Sequence, residues 1–191
     1  MLDPMARLGE VMARAARDAP FDPIAVSLAT STPDGRPSCR IVLLHELDER
    51  GVVFHTNYDG RKAVEIEHNP HAALCAYWPW IDEQVRIEGT VARVSTAESD
   101  RYFAVRPRGS QVGAWASLQS QPLDSRDILL TRVRDYEAEF EGRDVPRPEN
   151  WGGYRLRPLR IEFWKAGEFR LHDREVYERV NDAWTMQRLY P

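Results

Sequence analysis

The chain has 191 residues, 42% hydrophobic and 29% charged, with six Trp, two Cys and a formal net charge of -4. These values exclude a disordered or fibrous chain and fit one globular domain over residues 1–191, large enough to bury a core without disulfide staples. The acidic balance excludes a general nucleic-acid binder but permits a local basic patch that takes a small anion. No secretory leader pattern and no apolar stretch of bilayer-spanning length occur, so a cytoplasmic protein without membrane attachment is expected.

Asp3 can cap a first helix, Pro4 suits its first position, and Met5, Leu8, Met12 and Ala15 recur at helical spacing, which predicts a helix within residues 1–19. IAVSLATS, PSCRIVLLH and VVFHTN read as three short strands joined by the turns TPDGR and ELDERG, hence antiparallel. GRKAVEIEHN reads as a short helix stopped by Asn69-Pro70, with Glu65 and Glu67 on a solvated face; HAALCAYWPW and EQVRIEGTVARV follow as strands. Cys39 and Cys75 sit in apolar runs and are expected in the core. Ser95 and Glu98 have capping-box spacing ahead of a further helix, and Ile128, Leu129, Val133, Tyr136 and Phe140 form the apolar stripe of a long helix over 123–142. Residues 153–191 return to strand character in three segments. The fold class expected is mainly β (α+β): a closed or split antiparallel barrel with peripheral helices.

Neither GxGxxG nor a P-loop occurs, and His68 and His71 lack further ligands, so no dinucleotide fold and no metal site are expected. No GxSxG supports a hydrolase. The chain offers cations in apolar surroundings instead. Arg40 interrupts SCRIVLL, and an unpaired charge there would be costly, while Arg61 and Lys62 open a helix. Tyr102, Arg106 and Ser110 fall at intervals of four and supply a phenol, a guanidinium and a hydroxyl suited to a phosphate, with Pro107 and Gly109 putting Ser110 in a loop. Gln84, Gln119 and Ser120 are neutral groups of the kind that read a heterocycle edge, although the last two also fit plain loop residues. If residues 168–177 form a strand, Arg170, His172 and Arg174 share one face and Phe169 and Leu171 the other; that line either binds an anion or is solvated.

RIVLLHELDERGVVFHTNYDGRKA, RPRGSQVGAWASLQS, WGGYRLRP, IEFWKAGEFRLHDR, NDAW and RLYP, in this order along the whole chain, resemble the pyridoxamine 5'-phosphate oxidase family. The resemblance implies a six-stranded Greek-key split barrel forming a homodimer with FMN at its interface. It implies that Arg40, Ile41, Val42, Leu43, Leu44, His45, His55, Thr56, Arg61, Lys62, Gln84, Gln119, Ser120, Trp164 and Arg174 hold FMN. It further implies that His45, Tyr102, Arg106 and Ser110 hold the substrate phosphate, and that Arg170 and His172 face the pyridine ring as the catalytic pair. The activity implied is oxidation of pyridoxine or pyridoxamine 5'-phosphate to pyridoxal 5'-phosphate, with O2 as final acceptor and H2O2 as product.

Three features depart from the family pattern. His45 replaces the usual Lys, His55 a common Tyr, and Lys165 follows Trp164 where another residue is usual. The chain also begins near the family's first helix, ahead of which longer members carry a basic, aromatic arm; a trimmed chain and a short relative with a more open pocket both fit. Two other functions stay open: a split-barrel flavin oxidase of another reduced heterocycle, as in phenazine pathways, and a carrier of FMN or pyridoxal phosphate without turnover.

Overall fold

A computed structural model describes residues 3–191. Helix α1 (Pro4–Ala15) has Asp3 as its cap, whose carboxylate accepts from the Ala6 amide at 3.3 Å, and buries Met5, Leu8, Val11 and Ala15. It is shorter than the span 1–19, of which residues 1 and 2 lie outside the described residues. No described helix is long and apolar enough to cross a membrane.

The nine described strands form one antiparallel sheet. Its main path is β2 (Pro37–Leu43), β1 (Ala25–Ser31), β5 (His71–Trp78), β6 (Glu83–Arg93), β7 (Trp151–Lys165), β4 (Gly51–Asn57) and β3 (Glu46–Asp48). Six of these strands, β2 through β4, make the curled barrel path. The short β3 lies inside the stretch read as a turn. β8 (Asp173–Val180) pairs with the second half of β7, and β9 (Ala183–Arg188) pairs with β8. Alternation decides which side chains fill the curl: β1 buries Val26, Leu28 and Thr30, and β6 buries Val85, Ile87 and Val91. A register shift between Glu88 and Gly89 bends β6 against β7, where a Cβ on Gly89 would lie 2.0 Å from the Arg157 carbonyl oxygen.

Helix α2 (Arg61–His68) follows β4, and α3 (Thr96–Ala104) starts at the Ser95/Glu98 capping box. A second small core, Phe103, Val112, Phe140, Val145 and Trp151, gathers α3, α4 (Arg108–Ala116) and α5 (Arg126–Glu139). Leu129, Val133 and Tyr136 of the expected stripe are half-buried and Phe140 buried, but Ile128 is exposed.

Several expectations are corrected. Residues 168–172 are not strand: Glu168–Arg170 form a 3-10 turn with Phe169 and Arg170 at φ 55 and 66, and β8 starts only at Asp173. Gly167 permits this tight return, since a Cβ there would lie 2.0 Å from the Leu171 carbonyl oxygen. Phe169 and Leu171 consequently face out, 88% and 70% exposed. Cys39 is exposed, because β2 ends the sheet path and its outer face is uncovered within the chain, and Cys75 of β5 is half-buried. Glu65 is buried rather than solvated. The segment after Pro107, read as a loop at Ser110, is helix α4.

Candidate active site

Two groups of side chains stand out, at opposite ends of β7. The first lines a cavity of about 520 Å³ between β2, β4, α2, α3 and α4; its walls include Ile41, Val42, Leu43, His45, His55, Thr56, Lys62, Tyr102, Arg106, Ser110 and Gln119. Leu44 turns into the core instead. Trp151, at the start of β7, is a wall residue that the sequence reading did not single out.

The cavity floor is a stack of rings. His55 packs on Tyr102, with centroids 3.9 Å apart, and on Trp151, at 5.4 Å; Tyr102 and Trp151 are themselves 6.2 Å apart, and the Arg106 guanidinium rests 4.5 Å from the Trp151 centroid. His45 shares a 2.7 Å hydrogen bond with the Tyr102 hydroxyl. Glycine makes the stack possible: a Cβ on Gly153 would sit 2.9 Å from His55 Nε2. Burial pushes the His55 imidazole down to about 4, helped by His45 and Arg106, and His45 is lowered by burial and then by Arg106. Both rings are therefore neutral at pH 7. Both ring nitrogens of His55 and Nη1 of Arg106 are buried without a partner among the described residues. Unmet polar atoms lining an open cavity suit a ligand that completes them.

Beside this stack, Lys62 Nζ donates to Thr56 Oγ1 at 2.9 Å and to Gln119 Oε1 at 2.7 Å, and the Arg61 amide donates to Ser120 Oγ at 3.1 Å. Gly60 leaves room for Gln119, since a Cβ there would lie 2.3 Å from its Oε1. Glu65, held at about 2 despite burial by hydrogen bonds from Ser38, Thr30 and Arg61, ties down Arg61 at 2.8 Å and Arg40 at 3.4 Å. Arg40 also donates to the Leu28 carbonyl and to Thr30 Oγ1, so most of its guanidinium is engaged within the chain. Three cations against one carboxylate leave a surplus of two positive charges, which matches a phosphomonoester dianion.

The second group is a cross-strand row. Gln84 of β6 pairs with Trp164 of β7, which pairs with Arg174 of β8. Residues 90 positions apart in sequence thus stand side by side on one face. His172 packs on Trp164 with centroids 4.6 Å apart and accepts from the Gly167 amide through Nδ1 at 3.2 Å, while Arg170 is exposed on the turn. None of these five lines the 520 Å³ cavity. Trp151 and Trp164 are about 13 residues apart, on the order of 40 Å of strand path.

A curled antiparallel split barrel carrying a phosphate-matched cation cluster and a ring-lined cavity defines a protein that binds a phosphorylated, ring-bearing small molecule. A family model described as pyridoxamine 5'-phosphate oxidase matches residues 12–139, and one described as the pyridoxine 5'-phosphate oxidase C-terminal dimerisation region matches residues 151–191. The pyridoxine/pyridoxamine 5'-phosphate oxidase of Rubrobacter xylanophilus is 57% identical over 99% of this chain and 87% of that protein. The structure of PhzG from Burkholderia lata in complex with tetrahydrophenazine-1-carboxylic acid has a TM-score of 0.94 and 34% identity, covering 99% of this chain and 93% of that one. A pyridoxamine 5'-phosphate oxidase-related, FMN binding protein of Nostoc punctiforme shares the fold, with a TM-score of 0.79 and 20% identity over 100% of both chains. The chain belongs to the pyridoxamine 5'-phosphate oxidase family; it is an oxidoreductase, and its cofactor is FMN.

Proposed function

We propose that the protein oxidises pyridoxine 5'-phosphate or pyridoxamine 5'-phosphate to pyridoxal 5'-phosphate. The observation that carries this reading is the ring-lined cavity in which Arg106, Tyr102, Ser110 and His45 converge beside unpartnered donors. FMN, when bound, supplies the acceptor for a hydride from the carbon bearing the alcohol or amine and passes the electrons to O2, giving H2O2; with the amine, water completes the aldehyde and ammonia leaves. Arg61, Lys62, Gln119 and Ser120 hold the cofactor phosphate, and Arg40 braces this cluster through Glu65. Arg106, Tyr102 and Ser110 anchor the substrate phosphate, so that binding energy remote from the reacting carbon fixes the ring.

Gln84, Trp164 and Arg174 serve the flavin, and Arg170 and His172 the pyridine ring. The distance between this row and the cavity supports a homodimer in which one protomer supplies the cavity and its partner the row, consistent with the dimerisation region matched at residues 151–191.

The test mixes FMN-loaded protein with each phosphate ester in air and follows aldehyde and peroxide together. Equal formation of both is expected; a flavin that stays oxidised under anaerobic substrate excess rejects the reading. The likeness to PhzG favours one second reading, oxidation of an unphosphorylated reduced heterocycle. Arg106→Ala separates the two: the phosphate reading expects kcat/KM to fall about 10- to 100-fold, the loss of a charge-assisted hydrogen bond, and the other expects little change.

A further inference from the structure

The row Gln84–Trp164–Arg174 has a neighbour on the same face, two residues along each strand: Arg86 of β6 opposite Glu162 of β7. Glu162 is 1% exposed, and a carboxylate so placed in a sheet is costly unless its partners fix it. Its oxygens accept from Arg174 Nε at 2.9 Å, from Arg160 Nη2 at 3.2 Å and from Arg86. These guanidiniums hold its carboxyl below the usual range despite burial, so it is an anion at neutral pH. Arg174 is gripped a second time, its Nη1 donating to the Tyr190 carbonyl at 3.0 Å, while the Leu189 amide returns a bond to the Arg174 carbonyl at 3.0 Å. With Nε and Nη1 both engaged, the guanidinium plane is fixed. Nη2 makes no hydrogen bond among the described residues and is left for a ligand.

Arg86 and Arg160 meet the other carboxylate oxygen, Oε2, whereas Arg174 Nε meets Oε1, and Arg160 is also paired with Glu88 at 2.8 Å and approaches Glu178 at 3.5 Å. We propose that Glu162 is a positioning residue for FMN binding, acting through Arg174, and that the carbonyl of Tyr190 makes the last residues of the chain part of the cofactor site. This rests on the reading that Arg174 contacts the flavin. A guanidinium held at two of its nitrogens loses little further freedom when it meets the ligand, which raises affinity without any contact between Glu162 and FMN.

The test is a double-mutant cycle on FMN affinity, read by flavin fluorescence on titration into apoprotein, with thermal melting of each variant alongside. Arg174→Met is expected to weaken FMN about tenfold or more, the scale of one charge-assisted hydrogen bond. Glu162→Gln should weaken it by a similar factor in the natural background and by less than about twofold on top of Arg174→Met. Removing Tyr190 and Pro191 provides a second, milder route: about three- to tenfold weaker binding, again absent in the Arg174→Met background. This route keeps the proposal testable should Glu162→Gln fail to fold. Arg86→Met should leave FMN affinity within about twofold, because its ion pair does not orient Arg174. Additive losses in either cycle would overturn the proposal, as would an effect of Arg86→Met equal to that of Glu162→Gln. If Arg174→Met binds FMN normally, the underlying assignment of Arg174 fails instead, a distinct result.

Discussion

Lys62 couples cofactor binding to pH. Burial, and then the neighbouring Arg40, push its ammonium down to about 8 in the free protein. A bound phosphate dianion favours the charged form and raises that pKa, so binding is linked to protonation of Lys62. Affinity for FMN is expected to be flat below pH 8 and to fall above it, by up to about tenfold per pH unit, until the raised pKa of the complex is reached. Titrations between pH 6.5 and 9.5 measure this, and Lys62→Met should bind more weakly with no break near 8. Arg40 was legible in the sequence because a cation inside an apolar run needs an explanation, and Arg61 and Lys62 because they open a helix. Glu65 and Glu162 were not. Their burial depends on Ser38, Thr30 and Arg40 in one case and on Arg86 and Arg174 in the other, and such pairings across strands have no local signature.

At the level of elements, the first six residues of β7 decide the shape of the cavity. Gly152 and Gly153 let Tyr58 and His55 lie directly against the strand backbone, and Trp151 extends the stack. In Gly153→Ala the added methyl would meet Val94 Cγ2 at 2.7 Å as well as His55 Nε2 at 2.9 Å, so the ring must shift. Overpacking of this kind costs about 1–3 kcal/mol, or roughly 2–4 °C of melting temperature per kcal/mol in a chain of this size. The variant should also raise KM for the phosphorylated substrate, because Tyr102 stacks on the displaced ring; melting and steady-state kinetics report the two effects separately. The paired glycines after a Trp were the signal that could have found Trp151. By contrast, alternation in EFRLHDREVY suggested a strand that the Gly167 turn prevents, and Pro107 and Gly109 suggested a loop where Pro107 stands at the N-terminus of α4. The capping box at Ser95 and the cap at Asp3 were legible because each is built within four residues.

For the whole molecule, the separation of cavity and row along β7 leads to a test of assembly. If each active site takes its cavity from one protomer and its row from the other, Arg106→Ala and Arg174→Met damage different halves of the same site. A mixed dimer then holds one site carrying both lesions and one carrying neither. With FMN and substrate both held low enough that each variant alone is strongly impaired, unfolding and refolding equal amounts of the two together should give about half mixed dimers, by random pairing, and so recover about one quarter of the natural activity. If instead each chain builds its own complete site, every site in the mixture carries one lesion and no activity returns. The assay uses the phosphorylated substrate, against which Arg106→Ala is a lesion, and the intact site is then rebuilt from unaltered halves. Activity per site, measured after separating mixed from parental dimers by differently charged tags, gives the ratio without assuming random pairing.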